Sequence, residues 1–225
     1  MSTSESWVGS PDPKHASQFI AHGSAIVTAL TLWNHNIVTA SDDQSIHVYS
    51  PDGQLVRSLL GHKGGVWALA LRGDTLVSGA TDGTIRIWDL QTGNCTHIFR
   101  CHTGTVRCVA IAEPEKDHAG ELWPKQPLIV TGGRDRTVCV WVLPRPGDSE
   151  YKDSDGDNDN SDDVSANCSA NPFHLFRIGG HEDSIRAISA CGRRAASASY
   201  DHTVRIWDIV AGQCLFVLTG HTGKG

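Results

Sequence analysis

The sequence lacks any apolar run long enough to cross a bilayer, which needs about 20 consecutive apolar residues. Its longest apolar stretches, such as 66–71 and 195–199, have the length of β-strands. Residues 1–16 are polar, contain Pro11 and Pro13, and lack the apolar centre of a signal peptide. We therefore expect no membrane association, and we expect the protein in the nucleus or cytoplasm.

The sequence also lacks a Cys-x-x-Cys pair, and its seven cysteines are odd in number. Paired spacings of that kind are typical of zinc sites and redox motifs. We therefore expect seven reduced thiols, no metal and no cofactor. The sequons at Asn94 and Asn167 are then expected to be unmodified, because glycosylation requires secretion.

A surplus of basic charge is absent as well, since the formal net charge is −6. Nucleic-acid-binding domains usually carry a basic patch, so nucleic acid is not an expected partner. Outside a repeated pattern there is no single nucleophile, metal cluster or phosphate-cradling glycine loop. The sequence therefore predicts a protein that is not an enzyme.

The acidic charge is concentrated in one segment, residues 144–171, which is rich in Asp, Asn, Ser and Gly. This composition predicts a disordered insert in an otherwise nearly neutral chain. A calcium loop at Asp153–Asp157 is the alternative. The glycine there does not occupy the sixth position that an EF-hand turn requires, and this favours the insert.

What the sequence does contain is one pattern repeated four times: a histidine, a small hydroxyl residue, an aspartate in a turn, and an aromatic. The histidines recur about every 40 residues, with one interval nearly doubled by inserted sequence. The four sets are His22, Thr39, Asp43 and Tyr49; His62, Ser78, Asp82 and Trp88; His102, Thr131, Asp135 and Trp141; and His181, Ser197, Asp201 and Trp207. This period is that of a WD40 repeat, which forms one four-stranded propeller blade.

A Ser-His-Asp set also suggests a hydrolase, but the same set recurs in every repeat, as a nucleophile would not. In a blade, the imidazole can bridge the strand hydroxyl and the turn aspartate, and the buried indole N–H needs an acceptor. We therefore interpret the sets as structural tetrads. Tyr49 replaces the tryptophan in the first set, which predicts a weaker or differently arranged network there.

The predicted fold is all-β, a WD40 β-propeller of four antiparallel four-stranded blades within residues 17–225, preceded by a disordered segment at 1–16. The final residues, from Gly220, begin a fifth repeat. Because propellers close into rings of about four to eight blades, we expect this chain to be a fragment of a larger ring, and an isolated four-blade strip to be poorly closed.

Two positions in each repeat are expected to open onto the same rim of the propeller. The fifth residue after the histidine gives Val27, Trp67, Arg107 and Arg186, and the residue before the turn aspartate gives Asp42, Thr81, Arg134 and Tyr200. Three of these eight positions, in two adjacent blades, are thus arginines. Guanidinium groups pair bidentately with phosphate oxygens, so the cluster predicts phosphate recognition.

Around these residues the sequence resembles the F-box/WD40 substrate receptors of cullin-RING (SCF) ubiquitin ligases, of the cell division control protein 4 and archipelago type. The runs that carry the resemblance are 64–69, 95–99, 105–108, 133–135 and 199–201. The resemblance implies an eight-bladed ring that binds a phosphodegron containing phosphothreonine followed by proline. It matches Arg107, Arg134 and Arg186 to the phosphate, and Trp67, Thr81 and Tyr200 to the adjoining pocket.

The resemblance also implies partners: phosphorylated substrates, and the Skp adaptor and cullin only if an F-box exists beyond this sequence. No helical segment of that kind precedes Ser17. The alternative is a generic WD40 scaffold for protein–protein interaction without phosphate dependence. The two functions differ in whether binding requires phosphorylation of the partner.

Overall fold

The computed structural model describes residues 19–152, 168 and 170–221. The expected disordered segment at 1–16 lies outside these residues. So do the central part of the acidic insert with its candidate calcium loop, and residues 222–225 in the beginning of the fifth repeat.

Four antiparallel sheets of four principal strands follow one another along the chain, as the repeats predict. Blade one contains β1 (Val27–Trp33), β2 (Asn36–Ser41), β3 (Ile46–Tyr49) and β4 (Leu55–Leu59); blade two contains β5 (Val66–Arg72), β6 (Thr75–Ala80), β7 (Thr84–Asp89) and β8 (Cys95–Arg100). Blade three contains β9 (Val106–Ala112), β12 (Leu128–Gly133), β13 (Val138–Val142) and β15 (His174–Ile178); blade four contains β16 (Ile185–Cys191), β17 (Arg194–Ser199), β18 (Val204–Asp208) and β19 (Gln213–Leu218). The predicted four-bladed β architecture is confirmed.

The first strand of each blade packs against the first strand of the next blade, so β1, β5, β9 and β16 form the inner wall. Each inner strand is antiparallel to the second strand of its blade, which places its start beside the end of that second strand. Val106 packs at Gly79, and Ile185 packs at Gly132, across successive blade boundaries. The starts of the inner strands therefore lie at one common end of the blades, which we call the upper face.

The hydrophobic core is divided among the spaces between blades. Side chains of blades one and two, including Val38 and Trp88, form one cluster. Phe99 and Trp141 stack within a second cluster, between blades two and three, and Ile185 and Trp207 belong to a third, between blades three and four. Blade stacking thus buries the apolar surface that each single sheet leaves open.

Three short strands were not predicted. Glu115–Lys116 (β10) and Leu122–Trp123 (β11) form a hairpin after β9, and Tyr151–Lys152 (β14) pairs in parallel with β8. The insert predicted over 144–171 contains one of these strands in its described part, and its disorder stays a prediction because residues 153–167 and 169 lie outside the described residues. The segment leaves blade three at the end opposite the upper face, and Asn171 is buried where the chain returns.

The prediction of seven reduced thiols is wrong for two of them. Cys101 and Cys168 form a disulfide with a Cα–Cα distance of 5.1 Å, across 67 residues of sequence. Both cysteines are buried in the cluster between blades two and three, with Phe99 and Trp141. This bond fixes the end of the acidic insert to the packed interior. The spacing of the cysteines in the sequence does not indicate this pair.

The two terminal blades expose apolar side chains. Leu30 and Leu32 on β1 are 70% and 66% exposed, and Phe216 on β19 is 57% exposed. At the boundaries between successive blades, the equivalent sheet faces are covered by the neighbouring sheet. In the part of the chain that the structure describes, no helix has the length and apolar character needed to span a membrane.

Candidate functional site

The repeated His, hydroxyl, Asp and Trp residues form closed hydrogen-bond networks. In blade two, His62 Nδ1 lies 3.1 Å from Asp82 Oδ2, and its Nε2 lies 2.8 Å from Ser78 Oγ. Trp88 Nε1 donates to Ser78 Oγ at 2.8 Å. With its hydrogen on Nδ1, the neutral His62 donates to Asp82 and accepts from Ser78, so the donors and acceptors match.

Blades three and four repeat this geometry. His102 Nε2 lies 2.8 Å from Thr131 Oγ1, and Trp141 Nε1 donates to the same oxygen at 3.2 Å. The remaining distances are His102 Nδ1 to Asp135 Oδ1 at 3.0 Å, His181 Nδ1 to Asp201 Oδ2 at 2.7 Å, His181 Nε2 to Ser197 Oγ at 2.7 Å, and Trp207 Nε1 to Ser197 Oγ at 2.8 Å. A network made three times with the same members is a blade element rather than a catalytic centre.

Blade one is arranged differently. His22 bridges Asp43 and Thr39 at 2.9 Å each, but the hydroxyl of Tyr49 donates to the carbonyl of Ala21 instead of to Thr39. Phenol and indole place their donors at different distances from the backbone, which explains the changed partner.

The protonation of the blade-two network follows from its burial. Burial lowers the pKa of His62 below its ordinary value, despite the opposing effect of Asp82. Burial alone would raise the pKa of Asp82, but hydrogen bonds from His62 and Thr84 hold it below its usual range. At neutral pH the pair is a neutral imidazole beside a carboxylate, which is the state that the hydrogen bonds require.

The upper face carries the residues predicted to bind phosphate. In blades two to four, each inner strand has a bulge at its second residue, and these bulged residues are Trp67, Arg107 and Arg186. The backbone N–H of the residue that follows each second strand donates a hydrogen bond. The acceptor is the carbonyl oxygen of the residue three positions after the tetrad histidine. These bonds join Thr81 to Gly65, Arg134 to Thr105 and Tyr200 to Ser184 at 2.8–3.1 Å. The structure thus brings all six candidate residues to one end of the blades.

The prediction for blade one was off by one residue. The bulge there falls between Val27 and Ala29, so Thr28 and not Val27 is equivalent to Trp67. The reason is one extra residue between the histidine and the strand. The backbone N–H of Asp42 accordingly donates to the carbonyl oxygen of Ile26, four residues after the histidine, at 3.1 Å.

That extra residue is visible in the sequence. The histidine and aspartate are 21 positions apart in blade one, but 20 apart in blades two and four. The Oγ1 of Thr28 donates across the blade boundary to the carbonyl of Val66. Thr28 therefore stabilises the junction of blades one and two, a role that the fixed offset from the histidine concealed.

The three arginines are free of internal ion pairs among the residues that the structure describes. Arg72, Arg177 and Arg193 each lie within 4.0 Å of a carboxylate oxygen, on Glu113, Asp135 and Asp208 respectively. Arg107, Arg134 and Arg186 have no such partner in the same part of the chain. Arg134 and Arg186 are exposed and Arg107 is half-buried, so an external anion can reach their guanidinium groups.

One contact and one electrostatic effect relate these arginines to their neighbours. The guanidinium carbon of Arg107 lies 4.8 Å from the ring centroid of Trp67, a cation–π contact between blades two and three. Burial raises the pKa of the Cys108 thiol to about 12, and the charge of Arg186 acts against that rise.

The sequence matches a known family. The description of that family is "WD domain, G-beta repeat", and it matches residues 13–50, 53–89, 93–142 and 173–208. The chain belongs to the WD40 repeat family. WD40 domains are protein-interaction scaffolds, and each of the last three matched segments contains the outer strand of one blade followed by the first three strands of the next blade.

Relatives of this WD40 chain include WD repeat-containing protein pop1 of Schizosaccharomyces pombe, which is 35% identical over 98% of the chain. Cell division control protein 4 of Candida albicans is 43% identical over 95% of the chain. The chain spans 30% and 31% of the length of these two relatives. The solved structure of the computationally designed Ika8 protein matches with a TM-score of 0.63 at 28% identity, over 88% of this chain and 50% of that one.

A separate concavity of about 290 Å³ lies at the lower end of this WD40 domain, opposite the arginines. Its walls include Asp74, Trp88, His97 and Arg145. The strand ends that form it are the start of β6 and the end of β7, whereas the bulged residues lie at the other end of the same blades. It is therefore a different site from the arginine cluster.

Proposed function

We propose that this chain binds phosphorylated protein segments through the upper face of its propeller blades, with Arg107, Arg134 and Arg186 holding the phosphate. The observation that carries the proposal is that these three arginines lie at one end of the blades and have no carboxylate partner among the described residues. A phosphate dianion supplies the missing charge and accepts paired N–H donors.

The residues beside the arginines support a peptide ligand rather than free phosphate. Trp67 presents an aromatic surface next to Arg107, and Thr81 follows the second strand of the same blade. A proline after the phosphothreonine fits against such a surface, because flat apolar rings pack well on an indole. Tyr200, which is 37% exposed, bounds the site on the side of Arg186.

The similarity to cell division control protein 4 supports a more specific form of the proposal. We infer that the ligand is a phosphothreonine-proline degron and that the whole protein recognises substrates for an SCF ubiquitin ligase. A Skp adaptor and a cullin are partners only if the whole protein contains an F-box. In this proposal the chain binds and does not catalyse.

The test compares matched phosphothreonine-proline and threonine-proline peptides by isothermal titration with the 225-residue chain. We expect the phosphorylated peptide to bind at least about tenfold more tightly, because each charge-assisted hydrogen bond is worth about 1.5–3 kcal/mol. Raising the salt concentration should reduce this difference only in part, since bidentate bonds persist when charges are screened. Equal affinity for both peptides would instead support a WD40 scaffold for unmodified partners.

A further inference from the structure

A cluster of two sulfurs and one imidazole lies where the acidic insert returns to the blades. Among the residues that the structure describes, Cys101, Cys168 and His174 each bring one metal-binding atom to within 4.8 Å of the others. The two cysteines are buried and His174 is half-buried. Zinc in proteins is bound mainly by cysteine sulfur and histidine nitrogen, so the chemistry of this cluster suits that metal.

The distances in the cluster are close to those around a tetrahedral zinc ion. His174 Nε2 lies 3.7 Å from Cys101 Sγ. Zinc–sulfur bonds of about 2.3 Å and zinc–nitrogen bonds of about 2.0–2.1 Å place two such atoms about 3.6 Å apart. Two sulfurs on one zinc ion lie about 3.8 Å apart. Once the bond between them is open, Cys101 and Cys168 can reach this separation by rotating their side chains, since their Cα atoms are 5.1 Å apart.

Two neighbours orient the imidazole of His174. Its ring makes a T-shaped contact with Trp141, with the ring centroids 4.9 Å apart, and its side chain shares a hydrogen bond with Cys139. Partners that orient a ligating histidine strengthen metal binding. Cys101 directly follows β8 of blade two and His174 begins β15 of blade three, so a metal bound here would join two blades and the insert.

The charge of the cluster also fits a divalent cation. An uncompensated ion in the protein interior is costly, and buried charges are therefore paired or coordinate metals. Two thiolates compensate the charge of one Zn²⁺ ion, and the histidine ligand is neutral. The disulfide and a zinc site are thus two alternative states of the same pair of buried sulfurs.

We propose that opening the disulfide converts this cluster into a zinc site with Cys101, Cys168 and His174 as ligands. Two molecules of a thiol reductant open the S–S bond and leave as one disulfide, and each cysteine sulfur takes up a proton. Zn²⁺ then displaces both protons and binds the two thiolates and His174 Nε2. The metal keeps the insert attached to the blades when the disulfide is absent, and this role does not depend on phosphopeptide binding.

The test titrates zinc into the 225-residue chain in competition with a chromogenic chelator. The disulfide is either left intact or opened by a phosphine, which becomes its oxide in water. The reduced chain should bind one zinc ion that the oxidised chain does not bind. Cobalt(II) in place of zinc should show the charge-transfer absorption of thiolate ligands. Equal zinc binding by the two forms, or a cobalt complex without thiolate absorption, would overturn the proposal.

Two variants identify the ligands. Cys168→Ser and His174→Ala should each weaken zinc binding by more than about tenfold, since even partners that only orient a ligand contribute about ten- to a hundredfold. Cys214→Ser and His118→Ala are the matched controls, because both residues are exposed and lie outside the cluster. They should bind zinc as the reduced wild type does. Wild-type affinity in Cys168→Ser and His174→Ala would overturn the assignment, and the cobalt spectrum of the wild type decides the matter if a variant fails to fold.

Discussion

The guanidinium group of Arg107 lies over the indole of Trp67, with its central carbon 4.8 Å from the ring centroid. Both residues are the bulged residues of their inner strands, in blades three and two. The contact restricts the orientation of a long side chain that would otherwise sample many rotamers. Trp67 therefore acts in the candidate site both as an apolar surface and as a positioning residue for Arg107.

We expect Trp67→Leu to weaken phosphopeptide binding about two- to thirtyfold, because a cation–π contact is worth about 0.5–2 kcal/mol depending on its desolvation. Trp67→Phe should lose less, since it keeps an aromatic face. Trp33→Leu is the control, because Trp33 ends β1 at the end opposite the upper face. Its indole N–H donates a hydrogen bond to Asp74 Oδ1. Fluorescence polarisation with labelled peptide measures all three. A Trp67→Leu affinity equal to that of the control would contradict the positioning role.

The tetrads predict a stability effect that is separate from binding. Ser78→Ala removes the acceptor of Trp88 and the donor to His62, and both partners are buried. Unpaired buried groups cost about 1–3 kcal/mol each, so the free energy of unfolding should fall by about 2–6 kcal/mol. Urea denaturation followed by tryptophan fluorescence measures this. Ser58→Ala, on the exposed face of β4, should change it by less than about 0.5 kcal/mol. Equal effects would show that the network contributes little.

Acidification should destabilise blade two in two steps. The pKa of His62 is lowered in the folded state, so the unfolded chain binds more protons as the pH falls below about 6.5, and stability is lost. The lowered pKa of Asp82 adds a second loss below about pH 4. Urea titrations at pH 7, 5 and 3.5 check both. Asp82→Asn should reduce the second loss without removing it, because the pKa values of Asp43, Asp135 and Asp201 are lowered as well. A second loss of the same size in Asp82→Asn would contradict the lowered pKa of Asp82.

The disulfide predicts a thiol count. Without reductant the unfolded chain should show five reactive thiols, those of Cys95, Cys108, Cys139, Cys191 and Cys214. With reductant it should show all seven. Reduction should also lower the stability of the folded chain by about 2–4 kcal/mol, since the bond closes a long loop. Cys214→Ser should leave that difference intact. Seven reactive thiols without reductant would show that Cys101 and Cys168 are not paired.

The blade strands were predictable because each tetrad residue marks a fixed place in the repeat. His62 precedes the inner strand and Asp82 lies in the turn before the third, so the strands between them follow from turns and alternation. The hairpin of β10 and β11 carries no such marker. Its two-residue strands, at Glu115 and Leu122, are too short for an alternating pattern to be visible.

The candidate site was predictable only where the repeat spacing is constant. A fixed offset from the histidine located Trp67, Arg107 and Arg186, but it failed at Thr28, where blade one contains an extra residue. The pairing of Cys101 with Cys168 was not predictable, because the two meet only when the insert folds back between blades. Local patterns thus located the face, while contacts across blade boundaries needed the structure.

Phosphate binding by paired guanidinium donors on the upper face is best measured at Arg134, because this residue is exposed and has no ion pair among the described residues. Titration of a phosphothreonine-proline peptide should show binding weakened about ten- to a hundredfold by Arg134→Ala, and only partly restored by Arg134→Lys, which keeps the charge but loses the paired donors. Arg72→Ala, at the opposite end of β5, should bind as wild type does. Wild-type affinity in Arg134→Ala would contradict the claim.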